Sequence, residues 1–131
     1  LEITETAVMR DVPAAIATLT QLRSIGICIA MDDFGTGYSS LSYLKKFPLQ
    51  VLKIDRAFVQ DLTGNAEDQA MIAAIVALAR GLKLNVIAEG VETEAQLELL
   101  RSLDCYGIQG YWLSPSLNAE AMTQFLHAAR P

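Results

Sequence analysis

The sequence has little of what several familiar functions require: one histidine, one tryptophan and two cysteines among 131 residues. Two thiols make a disulfide framework improbable, so Cys28 and Cys105 read as buried and reduced, Cys28 within an apolar strand pattern. No Cys/His cluster can hold structural zinc, and His127, in the terminal helix, has no Ser-His-Asp arrangement around it. Basic residues are scarce too, 10 against 15 acidic ones, for a net charge of −5. That argues against duplex nucleic acid, which needs clustered Lys and Arg to displace counterions. No apolar run reaches the roughly 18 residues of a membrane helix, and no leader pattern is present. The segment therefore reads as a soluble, cytoplasmic type of domain without membrane contact.

What is present suits a folded core, with 52% apolar and 19% charged residues. Five strand-like runs alternate with helical patterns, the signature of a parallel α/β sheet. The strands are expected at Leu1–Thr4, Ile27–Met31, Val51–Asp55, Asn85–Glu89 and Ile108–Trp112. The helices are expected near 13–24, 39–46, 67–82, from Thr93 onward and from Asn118. Pro13 suits a first helical turn, and Thr93-Glu94-Ala95-Gln96 has the form of a capping box. The opening strand-like stretch has no initiator Met before it and reads as a start inside a domain.

Side chains alternate along a strand, so parity decides which residues share a face. Helices cover the outside of a parallel barrel, so the larger aliphatic set should point outward. Glu2, Asp32, Lys53, Glu89 and Gln109 are then left facing one lumen, mostly near the C-terminal ends of their strands. Barrel active sites are built at that end. The fourth strand is the weakest case, because Ile87 shares its parity with Glu89.

Carboxylates gathered without partners cost several kcal/mol each, so these acids should share a metal or another cation. Glu2, Asp32, Asp33 and Glu89 are hard oxygen ligands of the kind Mg²⁺ and Mn²⁺ prefer. Two ions about 3.5–4 Å apart can hold a bridging water for in-line attack on phosphorus. Lys53 could lower that water's pKa or stabilise charge on the phosphoryl oxygens. Gly35-Thr36-Gly37 joins the acidic pair to a helix start, where a phosphate can be held. Alone, such a short segment is more often a plain turn; its value comes from sitting directly after Asp32-Asp33.

Together the residues resemble the EAL domain family. The resemblance rests on Leu1-Glu2-Ile3-Thr4-Glu5, Asp32-Asp33-Phe34-Gly35-Thr36-Gly37-Tyr38-Ser39-Ser40-Leu41, Leu52-Lys53-Ile54-Asp55, Ala88-Glu89-Gly90-Val91-Glu92 and Gln109-Gly110-Tyr111. These motifs run through the chain in the family's order. The resemblance implies a parallel (β/α)₈ TIM-type barrel, of which residues 1–131 supply about the last five βα units. The Glu-Ala-Leu motif and the next strand's asparagine ligand belong to the part not contained here.

The implied activity is hydrolysis of cyclic di-GMP to linear pGpG with Mg²⁺ or Mn²⁺, two ions in the complete site. Glu2, Asp32 and Glu89 would ligate metal, Asp33 would serve the second ion, and Lys53 would position or activate water. Glu89 also has a general-base role in the family. Gln109 corresponds to a lumenal glutamine near the metal-bound water, while Asp55 and Glu92 match motif positions near substrate. Glu5 corresponds to the glutamate holding the loop of Gly35, Thr36 and Gly37, which is tied to substrate binding and dimerisation. A homodimer and upstream sensory or cyclase domains are the partners this implies, besides cyclic di-GMP itself. The segment alone is expected to be inactive, since a full barrel needs on the order of 250 residues. Three rival readings are a degenerate EAL receptor that binds without cleaving, a receiver-like doubly wound domain, and a structural half-barrel.

Overall fold

Strand β1 (Glu2–Thr4) runs straight into the single turn α1 (Glu5–Val8), and α2 (Val12–Ser24) follows. The Asp11 side chain accepts a hydrogen bond from the Ala14 amide at 3.1 Å, satisfying one of the free donors at the α2 N-terminus. Strand β2 (Ala30–Phe34), the short α3 (Leu41–Leu44) and β3 (Val51–Ile54) come next. Then come α4 (Arg56–Gln60), α5 (Ala66–Gly81), β4 (Asn85–Glu89) and α6 (Glu94–Ser102). The chain closes with β5 (Gly107–Gln109) and α7 (Ala119–Ala128). This computed structural model describes residues 1–35 and 41–128. Thr36, Gly37, Tyr38, Ser39 and Ser40 lie outside the described residues.

The strands form one parallel sheet in the order β1-β2-β3-β4-β5, each paired with its sequence neighbour. Consecutive parallel strands joined by helices are the βα repeat expected from the alternating pattern. One face carries the core. Leu52, Ile54, Ala88, Ile72, Ala79 and Leu100 are fully buried where α5 and α6 pack on the sheet. Burying an aliphatic side chain of this size contributes about 1.5–3 kcal/mol, so this layer dominates the stability of the fold.

The expected boundaries of β4, α2 and α5 agree with the structure to within one residue. The capping box forms as read: the Thr93 side chain accepts from the Gln96 amide at 3.2 Å, while Gln96 Oε1 accepts from the Thr93 amide at 3.0 Å. Gln96 does more than cap. Although buried, its amide Nε2 donates to the Val59 carbonyl at 3.0 Å and the Gln60 carbonyl at 3.3 Å, binding α6 to the end of α4.

Three expectations need correction. The second strand lies three residues later than read, at Ala30–Phe34, so the acidic pair sits inside it. A strand can end in carboxylates when a cation beside it offsets them, and polarity alone conceals that. Cys28 then falls before the strand and is exposed, whereas Cys105 is buried as expected. Burial pushes the Cys105 thiol up to about 11, which keeps it protonated and inert. The last strand stops at Gln109, so Tyr111 and Trp112 belong to the turn beyond it. The single-turn helices α1 and α4 had no separate sequence signal, being too short to show a period.

Candidate active site

Strand pairing sets the geometry. Thr4 lies opposite Asp32, Lys53 opposite Ile87, and Glu89 opposite Gln109, so Asp32, Lys53, Glu89 and Gln109 lie toward the C-terminal end of the sheet, while Glu2 starts β1 opposite Ala30. Lys53 is the centre. Only 3% of its side chain is exposed, and its Nζ lies 2.8 Å from Glu2 Oε1, 2.5 Å from Glu89 Oε1 and 3.4 Å from Asp32 Oδ1. Three strands, β1, β2 and β4, thus each present a carboxylate to one ammonium on β3. Burial works against the charged amine. The hydrogen bonds to Glu2 and Glu89 and the charges of Glu89 and Asp32 outweigh it, holding the Lys53 pKa well above its usual value.

Adjacent residues on a regular strand face opposite ways, yet carboxylate oxygens of Asp32, Asp33 and Glu89 lie within 4.8 Å of one another. The β2–β3 pairing explains this. Its register shifts between Met31 and Phe34, which pair with Leu52 and Ile54, leaving one extra residue on β2. Asp33 takes up the irregularity with a left-handed φ of 54°, a conformation most L-residues avoid and Asp and Asn tolerate. The bulge turns the second carboxylate toward the site.

Asp33 is held above the ordinary carboxyl range. Desolvation is the largest cause, followed by a side-chain hydrogen bond with Asp55 and repulsion from Asp32, Asp55 and Glu89. Asp55 also caps α4, its Oδ1 accepting from the Ala57 amide at 2.7 Å. Glu92 is exposed, with its backbone amide donating to Gln96 Oε1 at 2.8 Å. Gln109 is exposed on the last strand, and its carbonyl accepts from the Val91 amide at 3.2 Å. Glu89, Glu92 and Gln109 line one cavity of about 250 Å³ together with Arg56 and Tyr111.

Glu5 lies in α1, half-buried, and its Oε2 has no hydrogen-bond partner among the described residues. Gly35 follows β2 with a φ of 100°, and a Cβ there would meet the Phe58 ring at 2.9 Å. Gly90, directly after Glu89, has a φ of 72°, and a Cβ there would strike Arg56 Cβ at 2.6 Å. Only glycine meets both demands, so the chain can turn out of β4 against α4.

Sequence reasoning missed two residues. Gln96 was seen as a cap and not as the tie between α4 and α6. Arg56 was passed over; its place beside Glu89 and Glu92 is visible only in the folded chain, and the available signal was that it directly follows Asp55.

An EAL domain family model matches residues 1–116. The chain belongs to the EAL domain family. Over 122 residues it is 51% identical to the bifunctional diguanylate cyclase/cyclic di-GMP phosphodiesterase MucR of Pseudomonas aeruginosa, covering 93% of this EAL chain and 18% of MucR. The solved MucR phosphodiesterase in complex with c-di-GMP superposes with a TM-score of 0.88 over 93% of this chain and 49% of that one. The EAL domain of Mycobacterium smegmatis DcpA is 44% identical, with a TM-score of 0.92 over 100% of this chain and 59% of that one. A manganese/c-di-GMP complex of Klebsiella pneumoniae BlrP1 is 37% identical, with a TM-score of 0.79 over 85% of this chain and 28% of that one. The α/β fold is therefore that of part of an EAL barrel, and the chain spans under a fifth of MucR's full length.

Proposed function

We propose that this EAL segment supplies most of the charged machinery of a divalent-metal phosphodiesterase that hydrolyses cyclic di-GMP to linear pGpG. One observation carries the reading: a nearly buried ammonium, Lys53, is surrounded by carboxylates from three separate strands. A structural half-barrel has no use for so costly an arrangement. The named activity and bound c-di-GMP of the MucR relative support it.

The donor set suits Mg²⁺ or Mn²⁺. Every candidate ligand (Glu2, Asp32, Asp33 and Glu89) is a carboxylate, and the Asp33–Asp55 hydrogen bond requires a shared proton where a cation would otherwise balance the charge. When bound, one or two such ions would polarise the phosphodiester and lower the pKa of an attacking water. The chain's own groups do the rest. Glu89 accepts the proton of the attacking water, and Lys53 pairs with Glu89 and offsets charge on the phosphoryl oxygens. Gln109, Asp55 and Glu92 orient water and substrate, while Glu5 secures the loop of Gly35, Thr36 and Gly37. One water is added, one ring phosphodiester bond breaks, and a linear dinucleotide with a terminal phosphate leaves.

Residues 1–131 form part of the domain in this proposal. The isolated segment turns over little, because an early strand with further ligands is needed, and sensory or cyclase domains accompany it in the parent protein. The test is an assay of cyclic di-GMP cleavage by the complete domain with Mn²⁺, Mg²⁺ or chelator. Metal-dependent appearance of pGpG, lost in Glu89→Gln, is expected. Tight binding of cyclic di-GMP without cleavage under every metal condition would overturn the hydrolase assignment in favour of a receptor.

A further inference from the structure

The opposite end of the same sheet carries a second cavity, of about 430 Å³. Its lining comes from three neighbouring chain segments: the last turn of α2, the turn leading into β3 and the turn leading into β4. Three cations line it, Arg23, Lys45 and Lys83, and no acidic residue does. Among the described residues, none of the three side chains makes an ion pair, unlike Arg80 with Asp104 or Arg101 with Glu98. Lys83 is held in position by a left-handed φ of 59° and by its amide donating to the Arg80 carbonyl at 3.1 Å. The remaining wall is apolar, with buried Leu44, Phe47 and Leu49 beside Leu82 and Leu84.

Basic side chains are favoured at helix C-termini, which accounts for Arg23 lying in the last turn of α2. It does not account for a cavity lined by three cations without ion pairs among the described residues, together with aliphatic and aromatic carbon, in a chain of net charge −5. A volume of this order falls in the range of small-molecule sites, about 300–1,000 Å³.

We propose that this cavity binds a nucleoside monophosphate, its phosphate held by Arg23, Lys45 and Lys83 and its base lying on the Leu44, Phe47 and Leu84 wall. The phosphate gains charge-assisted hydrogen bonds that these cations lack among the described residues. The base removes apolar surface from water. The site stands apart from the acidic cluster: it is lined by Leu49, just before β3 begins at Val51, while Lys53 points into the acids toward the far end of that strand. It is independent of the hydrolase reading.

The test is calorimetric titration of the longest natural polypeptide carrying this chain with GMP, AMP, guanosine and inorganic phosphate. Chelator is kept present so that metal at the acidic end contributes nothing. At least one nucleotide should bind, with guanosine and phosphate each at least about tenfold weaker because each lacks part of the interaction. The double variant Arg23→Glu/Lys45→Glu should lose about tenfold in affinity, Lys45→Arg should retain it, and Arg101→Glu, a helix-end cation outside the cavity, should change nothing. Should the double variant fail to fold by circular dichroism, Lys45→Gln replaces it, with a loss of about threefold expected. Absence of nucleotide binding at millimolar concentration would overturn the proposal. So would binding of phosphate as tightly as nucleotide, or nucleotide affinity indifferent to the cavity variants.

Discussion

The two ends of the sheet handle charge in opposite ways. At the C-terminal end, Glu2, Asp32 and Glu89 converge on Lys53, which is removed from water and saturated with partners. At the N-terminal end, Arg23, Lys45 and Lys83 are exposed and lack ion-pair partners among the described residues. A net charge of −5 conceals this separation. The acids depend on one another's cation for their stability, while the basic groups are each solvated and independent. Perturbation at the first end should therefore propagate, and perturbation at the second should stay local.

The largest effect should come from Lys53→Met. Removing the cation leaves three carboxylates facing each other, and breaking a buried pair in this way costs about 3–5 kcal/mol. Urea denaturation in chelator measures it, and added Mn²⁺ should recover part of the loss. A Lys53→Met variant as stable as the parent would erase the contrast between the two ends. Next is Asp33→Val, which forces a β-branched residue into the left-handed region and should cost about 1–3 kcal/mol, while Asp33→Asn tolerates that backbone and should lose far less. Parallel melts of the two variants separate backbone strain from charge.

A smaller, pH-dependent effect is expected at Asp33, which is hydrogen-bonded to Asp55. Its folded pKa is raised, so the native chain holds that proton more tightly than the unfolded chain does. The resulting stability is fully present below the ordinary carboxyl pKa and is lost as pH rises through the raised folded value. Denaturation of the metal-free protein across that window should show the parent falling relative to Asp33→Asn, and Mn²⁺ should remove the difference. The smallest effect is expected from Arg23→Glu/Lys45→Glu, within about 0.5 kcal/mol of the parent in chemical denaturation. A large destabilisation there would show that the basic end is a structural cluster as interdependent as the acidic one.

Much of this was legible beforehand because parity and turn chemistry act over a few residues. Glu2, Lys53 and Glu89 share a face by simple alternation, and Thr93 with Gln96 declared its cap. The bulge in β2 was not legible. Its cause is a mismatch between two strands, which no single stretch of chain contains, and it moved the strand end past Asp33. Cys28 was misplaced because the strand starts only at Ala30, two residues after it. The contact of Gln96 with Val59 and Gln60 joins residues 36 and 37 positions apart and leaves no local trace.

That glutamine has a dynamic corollary. One amide grips the segment after β4, through the Glu92 and Thr93 amides, and the helix after β3, through the Val59 and Gln60 carbonyls. The rims of those two strands should fluctuate as a unit, so that the reach from lysine to glutamate survives thermal motion even where surrounding turns open. Slow, correlated hydrogen exchange at Glu92 and Thr93 would be its signature.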